Sequence, residues 1–217
     1  MSKYLGAYQR LHAGEESFLT GDVARRSTEL FTGSNFVKKL YSKFRSHILD
    51  AGMTGVRVLD YGCGKANYLR EPLKSFGLTA EDTPRPDLPL LSNFASGTIQ
   101  TISLYDPGFL PLSSKPADFM KTFYDIVICA DVMEHVPQED VMDTLYDLCD
   151  AAHGGILLMS ISCKPAVKKF CNGINLHVTI KDPDWWKEAI LKAIPGEAYV
   201  VFETADGGSE TWHYKPN

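Results

Sequence analysis

Two carboxylates and two imidazoles stand in a pattern that could do chemistry. Asp131, Glu134 and His135 follow directly after an apolar run, and His177 comes about forty residues later in another segment. If these groups converge on one pocket, their mixed oxygen and nitrogen set could hold a divalent cation, and it suits Mg²⁺, Mn²⁺ or Zn²⁺ without choosing among them. Two other interpretations stay open: His135 or His177 acts in catalysis without a metal, or the residues are purely structural.

The elements around these residues predict how they come together. The apolar run 124–130 predicts a buried strand of the parallel kind, residues 138–152 predict a helix, and the run 155–161 predicts the next buried strand. Because the carboxyl ends of parallel strands meet at one edge of a sheet, we expect the four groups to lie at that edge.

A second stretch, residues 56–67, reads as a buried strand, a tight glycine turn and the start of a helix. Gly62 and Gly64 let the backbone approach a ligand closely, and Asp60 stands at the carboxyl end of the strand. Dinucleotide enzymes use G-x-G-x-x-G at such a turn, but the place of the third glycine is taken by Asn67. The stretch therefore points to a nucleoside-type cofactor other than a dinucleotide.

The pattern from Val58 to Ala66, apolar-apolar-Asp-x-Gly-x-Gly-x-Ala, resembles the first motif of class I S-adenosylmethionine-dependent methyltransferases. The resemblance implies that the glycine turn wraps the amino acid part of the cofactor and that Asp60 lies near its ammonium group. Tyr105-Asp106-Pro107 resembles the end of the family's second strand, where an acid accepts hydrogen bonds from both ribose hydroxyls. Residues 123–136 resemble its fourth-strand signature. The cofactor-binding residues that the resemblance implies are Asp60, Tyr61, Gly62, Gly64, Tyr105, Asp106 and Asp131.

The acid-x-x-Glu-His run with a later histidine resembles small-RNA 2′-O-methyltransferases, in which such residues bind a metal that grips a diol. The Glu-His pair also resembles ubiquinone-pathway O-methyltransferases, and the chain as a whole looks like poorly characterised bacterial and phage methyltransferases with similar Asn-x-His and Trp-Trp elements. The implied metal ligands are Asp131, Glu134, His135 and His177, and the two histidines are also the catalytic candidates. A metal would acidify the accepting hydroxyl.

The predicted fold is α/β, a Rossmann-like three-layer sandwich with a mostly parallel, seven-stranded-type sheet that ends in an antiparallel hairpin around Asp206-Gly207-Gly208. We expect one domain over residues 1–217, with an N-terminal helical lid and flanking helix (1–52), a cofactor-binding core (53–162), and a substrate cap with the terminal hairpin (163–217). Further predicted elements are helices within 15–30, over 36–52, 67–76 and 184–193, a strand over 98–105, and an irregular insertion over 78–98.

Several other side chains have two interpretations each. Tyr4, Tyr8, His12 and Phe18 close over the active site or simply pack. Lys164, Lys168 and Lys169 meet an anionic group or form a solvated basic face. Trp185 and Trp186 stack on a substrate or pack in the core.

Composition limits the function classes. Of the 217 residues 44% are hydrophobic, which supports a sizeable core, and the net charge of −5 argues against an extended nucleic-acid surface. No apolar run approaches the roughly 20 residues that span a bilayer. Five cysteines, an odd number without a C-x-x-C pair, fit a reducing compartment. We expect a soluble, cytoplasmic protein whose oligomeric state stays open.

The predicted function is transfer of a methyl group from S-adenosyl-L-methionine to a hydroxyl of a small-molecule, sugar or nucleotide-type acceptor, or to a terminal hydroxyl, with a divalent metal as an optional aid. Three alternatives stay open: N-methylation on the same fold, a non-catalytic methyltransferase-like binding subunit, and an NAD-dependent oxidoreductase.

Overall fold

The computed structural model describes residues 4–20, 23–26, 35–64, 73, 76, 90–92, 97–109, 112–113 and 123–216. Within these residues the helices are α1 Leu5–Ala13, α2 Asn35–Asp50, α3 Val141–Ala151 and α4 Pro183–Ala193. The strands are β1 Ser17–Thr20, β2 Val23–Arg26, β3 Val56–Tyr61, β4 Leu90–Ser92, β5 Ile99–Tyr105, β6 Ile126–Ala130, β7 Ile156–Ser162, β8 Lys168–Phe170, β9 Glu197–Glu203 and β10 Ser209–Tyr214. None of these helices has the length and apolar character needed to cross a membrane.

Seven of the described strands hydrogen-bond into one sheet in the order β10-β9-β7-β6-β3-β5-β4. The four pairings from β9 to β5 are parallel, whereas β10 pairs antiparallel with β9 and β4 pairs antiparallel with β5. The chain is therefore an α/β protein with a mostly parallel sheet and an antiparallel terminal hairpin, which confirms this part of the prediction.

The order of the strands creates a crevice at one edge of the sheet. Strand β3, the first of the parallel set along the chain, lies between β5, the second, and β6, the third. The connections from β3 and β5 therefore leave in opposite directions along the sheet. In open α/β sheets, ligands bind at such a switch point, outside the carboxyl ends of the strands. The glycine turn after β3 and the polar run after β6 both lie there.

The central strands are buried on both faces, which is why their sequences read as continuous apolar runs. Along β6, Ile126 and Ile128 pack in a cluster with α2, whereas Val127 and Cys129 pack in a second cluster with α3 and α4. Alternate side chains of this strand thus pack against different helices. The amphipathic pattern predicted for α2 is confirmed in the main: among its described side chains Val37, Leu40, Tyr41, Phe44 and Ile48 are buried, whereas Leu49, placed on the same face by the pattern, is exposed.

The prediction of a helix within residues 15–30 was wrong where the structure describes that segment. Residues 17–20 and 23–26 are the strands β1 and β2, and β1 also pairs antiparallel with β8 to form a separate three-stranded sheet. Phe18 lies opposite Phe170 in this pairing and is fully buried. The conformation is set by a partner strand about 150 residues away, which local propensity cannot register.

Other boundaries moved for local reasons. The helix predicted over 138–152 begins with a 3₁₀ turn at Gln138–Asp140 before α3. Helix α4 begins at Pro183, at the first helical position, after Asp182 caps it by accepting a hydrogen bond from the backbone of Trp185. The insertion over 78–98 contains strand β4. Of the helix predicted over 67–76, only residues 73 and 76 are among those described.

We predict that Gly62→Ala destabilises the fold more than a glycine substitution in an open turn. Gly62 has φ 75°, and a Cβ there would lie 2.3 Å from a Val132 methyl group, whereas Gly207 has φ 83° and nothing within 4 Å. A left-handed backbone alone costs a residue with a Cβ about 1–2 kcal/mol. Gly207→Ala should therefore lower the free energy of unfolding by that amount. Forced overpacking adds about 1–3 kcal/mol, giving about 2–5 kcal/mol for Gly62→Ala. Urea unfolding measures both, and equal losses would contradict the close contact.

Candidate functional site

The structure brings the four predicted metal ligands together. Asp131 directly follows β6, Glu134 and His135 lie in the 3₁₀ turn Met133–His135, and His177 lies beyond β8. One ligand atom from each of the four side chains lies within 4.8 Å of the others. The cluster is thus built from two chain segments at the carboxyl edge of the sheet, as the strand ends predict, and metal binding itself stays a prediction.

Asp131 leaves the strand in an unusual conformation. It is the only described non-glycine residue with positive φ, at 61°, and its backbone N–H donates to the Ser160 carbonyl at 3.0 Å. A left-handed conformation costs about 1–2 kcal/mol for a residue with a Cβ, although Asp tolerates it better than most. Strain of this kind concentrates at functional sites, where the surrounding structure enforces it.

Glu134 is the buried member of the cluster. Its side chain has no solvent exposure, and Oε1 accepts a hydrogen bond from the backbone N–H of Ser162 at 2.8 Å. Among the residues that the structure describes, Oε2 has no hydrogen-bond partner. Burial, reinforced by the nearby Asp131, raises the pKa of Glu134 well above its ordinary range. A carboxylate in this state must either hold a proton or meet a cation.

The two histidines are held by their Nδ1 atoms. His135 Nδ1 lies 2.9 Å from the Leu176 carbonyl oxygen, and His177 Nδ1 lies 2.6 Å from the Lys164 carbonyl oxygen. A carbonyl only accepts, so these contacts assign the proton to Nδ1 and the lone pair to Nε2. Metal-binding histidines in proteins are typically oriented in this way, by donating the other ring N–H to a backbone carbonyl or carboxylate.

The imidazoles are also electrically suited to act as ligands. Their ring centroids are 4.9 Å apart and their planes are nearly perpendicular, at 81°. Burial lowers the pKa of His135 to about 4, and burial together with the neighbouring His135 lowers the pKa of His177 to about 4. Both rings are therefore neutral at pH 7, which is the form that binds a metal.

Asn175 explains the Asn-x-His element. Its Oδ1 accepts hydrogen bonds from the backbone N–H groups of Ala166 and His177, both at 2.9 Å, and its Nδ2 donates to the Ala166 carbonyl at 2.9 Å. The amide thus fastens the backbone of His177 to the segment that follows β7.

Asp106 fastens the glycine turn to the neighbouring strand. Its Oδ2 accepts a hydrogen bond from Gly64 N–H at 2.6 Å and its Oδ1 accepts one from Gly108 N–H at 2.7 Å. Burial raises the pKa of this carboxyl, and the backbone N–H donors of Gly64 and Gly108 oppose that rise. The predicted contact with ribose hydroxyls stays a prediction, since each oxygen retains a further lone pair.

Asp60 contrasts with Asp106. It is 2% exposed, and within the described residues its Oδ2 has no hydrogen-bond partner. Burial, with a smaller contribution from the negative charge of Asp106, raises the pKa of Asp60 to about 8. An acceptor oxygen without a donor at the base of the glycine turn is suited to a cationic group.

A cavity of about 530 Å³ joins the two groups of residues. From the predicted site its lining includes Tyr61, Gly62, Gly64, Tyr105, Asp106, Asp131, His135 and His177. Asp60 and Glu134 are buried and are not part of this lining. The glycine turn and the two histidines thus line the same cavity.

Residues from other segments complete the lining. Tyr4, Tyr8 and His12 reach it from the N-terminal segment, whereas Phe18 packs with Leu11 in a separate apolar cluster. Glu203 also lines the cavity and had no signal in the sequence.

Of the remaining basic and aromatic candidates, some line the cavity and others pack in the core. Lys164 and Lys168 line the cavity, and Lys164 forms an ion pair with Glu203 at 2.8 Å. Trp186 is fully buried in the core, and Trp185 packs against it. Core packing is therefore the interpretation that the structure supports for Trp186.

Comparison of the sequence with known proteins does not assign the chain to a family. No protein-family model matches the chain, and no curated protein matches its sequence.

We predict that Asp60→Asn changes how stability depends on pH. The folded pKa of about 8 exceeds the unfolded value near 4, so the folded state holds a proton that the unfolded state releases. At this residue, stability is therefore lost as pH rises from about 4 to about 8, by up to about 1.4 kcal/mol per pH unit. Asn removes that loss, so the variant should gain on the wild type between pH 5 and pH 8.

Urea unfolding at pH 5, 6, 7 and 8 measures this difference. Asp150→Asn, at an exposed position of α3, is the matched control and should parallel the wild type. A constant difference between Asp60→Asn and the wild type over this pH range would show that Asp60 is ionised throughout.

Proposed function

We propose that the protein is a class I S-adenosylmethionine-dependent methyltransferase, with the three-layer Rossmann-like arrangement of that class, which methylates a hydroxyl with the help of a divalent cation. One observation carries the proposal: a single cavity has the glycine turn and Asp106 on one side and the cluster around His135 and His177 on the other. A methyl donor and its acceptor must meet in line within one site, and a single cavity lined by both groups of residues supports such an arrangement.

The cofactor half fits a ligand that carries a positive charge. The turn from Gly62 to Gly64 is fixed by two hydrogen bonds, from Gly62 N–H to the Tyr105 carbonyl at 2.7 Å and from Gly64 N–H to Asp106. Behind it, Asp60 offers an acceptor oxygen that no described residue satisfies. S-Adenosylmethionine, when bound, supplies the methyl group from a sulfonium. Its ammonium group would suit Asp60, whose buried carboxyl holds a proton below about pH 8 in the folded chain and would ionise beside a positive charge.

The acceptor half fits a divalent cation. Two carboxylates and two neutral imidazoles, each histidine held through Nδ1, match a mixed oxygen and nitrogen ligand set. The Oε2 atom of Glu134, which lacks a partner among the described residues, would gain one. Such a cation would lower the pKa of a bound hydroxyl and so replace a strong general base. This chemistry favours a hydroxyl acceptor over an amine.

We predict that the purified chain binds S-adenosylhomocysteine and does not bind NAD. Isothermal titration measures both ligands under the same conditions. Asp106→Asn should weaken binding by about tenfold, because the hydrogen bonds that fix the glycine turn lose their charged acceptor, and a charged acceptor contributes about 1–2 kcal/mol more than a neutral one. Asp143→Asn, on the exposed side of α3, is the control. Heat with NAD alone would point to an oxidoreductase, and heat with neither ligand to a non-catalytic binding subunit.

We predict that a divalent cation binds the cluster and is required for turnover. After dialysis against EDTA, the protein should bind Mn²⁺ in isothermal titration, and Glu134→Gln should lose at least tenfold in affinity because a charged ligand becomes a neutral amide. Glu139→Gln, at an exposed position five residues away, should bind like the wild type.

Methyl transfer from labelled S-adenosylmethionine to a panel of hydroxyl and amine acceptors tests the activity. EDTA should lower it, and Mn²⁺ or Mg²⁺ should restore it. Unchanged turnover in chelator, together with full activity of Glu134→Gln, would remove the cation from the proposal. Labelling of amine acceptors alone would indicate N-methylation.

A further inference from the structure

The hydroxyl of Tyr8 reaches the cluster from outside the sheet. Tyr8 lies on α1, and its hydroxyl oxygen is 2.7 Å from His135 Nδ1. The same hydroxyl donates a hydrogen bond to the carbonyl of Leu176, which is also the acceptor for His135 Nδ1. Two groups from separate segments, the Tyr8 hydroxyl and His135 Nδ1, therefore meet at the carbonyl oxygen of a third segment.

This arrangement acts on both imidazoles. Tyr8 contacts the Nδ1 side of His135, opposite the nitrogen that is free to bind a cation. Leu176 directly precedes His177, so the hydrogen bond to its carbonyl also fixes the backbone that carries the second ring. We propose that Tyr8 is a positioning residue that sets the spacing of His135 and His177, and that α1 must therefore be docked for the cation site to be complete.

The docking of α1 has its own supports on both sides of the cavity. On the cofactor side, Gln9 Nε2 donates to the Pro107 carbonyl at 3.0 Å. On the other side, Leu11 packs in a cluster with Phe18 and Phe170, where β1 pairs with β8. Helix α1 thus spans the cavity from the turn after β5 to the segment that carries His177. Cation binding and helix docking are then linked, and each must strengthen the other.

Two other roles for Tyr8 are less consistent with these contacts. As an apolar packing residue it would need only its ring, which lies edge-on to Phe170 at 5.1 Å and to His135 at 5.4 Å. As a general base it would need to ionise, but burial and the nearby Glu134 and Asp131 raise the pKa of its hydroxyl well above the ordinary value. The hydroxyl is instead placed to donate a hydrogen bond and to orient an imidazole.

The test separates the hydroxyl from the ring. Tyr8→Phe keeps the ring contacts and removes only the O–H group, and Tyr146→Phe makes the same change at an exposed position of α3. Loss of a group that orients a ligand typically weakens metal binding about 10–100-fold. Titration of the EDTA-treated protein with Mn²⁺ should show this loss for Tyr8→Phe and none for Tyr146→Phe.

A second readout follows from the linkage. Arg10 is exposed on α1, so trypsin cleavage there reports undocking of the helix. Mn²⁺ should slow this cleavage in the wild type and protect Tyr8→Phe much less at the same cation concentration. Gln9→Ala, which loosens α1 without touching the histidines, should also weaken Mn²⁺ binding, and it provides the test if Tyr8→Phe does not fold.

The inference rests on the proposed cation site, and the outcomes distinguish the two. If the wild type binds no Mn²⁺, the cation-assisted function fails and this inference fails with it. If the wild type and Tyr8→Phe bind Mn²⁺ with equal affinity and equal protection of α1, the proposed function stands and Tyr8 only packs.

Discussion

Burial of the Glu134 carboxylate is the constraint on which the site depends. With no exposure, the side chain cannot be hydrated, so each oxygen must find a partner within the protein or in a ligand. The Oε1 atom accepts a hydrogen bond from the backbone N–H of Ser162, at the end of β7. The backbone carbonyl of Glu134 accepts hydrogen bonds from the backbone N–H groups of Val178 at 2.8 Å and Thr179 at 3.0 Å. Glu134 thereby connects the segment after β6, the end of β7 and the segment that carries His177. Its Oε2 atom has no partner among the described residues and still needs a proton or a cation.

The region of the glycine turn shows the same physics with two different solutions. Asp60 and Asp106 are both buried carboxyls at the ends of neighbouring strands. Asp106 is satisfied within the chain, because two backbone N–H groups donate to its two oxygens. Within the described residues the Oδ2 of Asp60 has no such donor. Burial raises the pKa of both carboxyls, but only at Asp106 do backbone N–H donors oppose the rise. A cationic ligand would therefore gain more from Asp60, and Asp106 matters first as the group that shapes the turn.

How much of this could be predicted from the sequence depended on the range of the interactions. Strands β3 and β6 and helix α2 were predictable, because burial writes a local apolar pattern into each. The approach of His177 to Asp131 was also predictable, because parallel strands bring their carboxyl ends to one edge. Strands β1 and β8 and the contact of Tyr8 with His135, across 127 residues, were not. They depend on contacts between segments far apart in the chain, which leave no local signal. The backbone carbonyls that orient the histidines have no residue type to reveal them.

The electrical state of the imidazoles favours one of the two chemical uses that the sequence left open. A general base works best when its pKa lies near the working pH, and burial moves the pKa of both His135 and His177 down to about 4. Such rings accept a proton from a hydroxyl poorly. A metal ligand has the opposite requirement, since its lone pair must stay unprotonated across the neutral range. Burial therefore makes both histidines poor general bases but leaves them suitable as metal ligands. The contacts of both Nδ1 atoms with backbone carbonyls also favour the role of metal ligand.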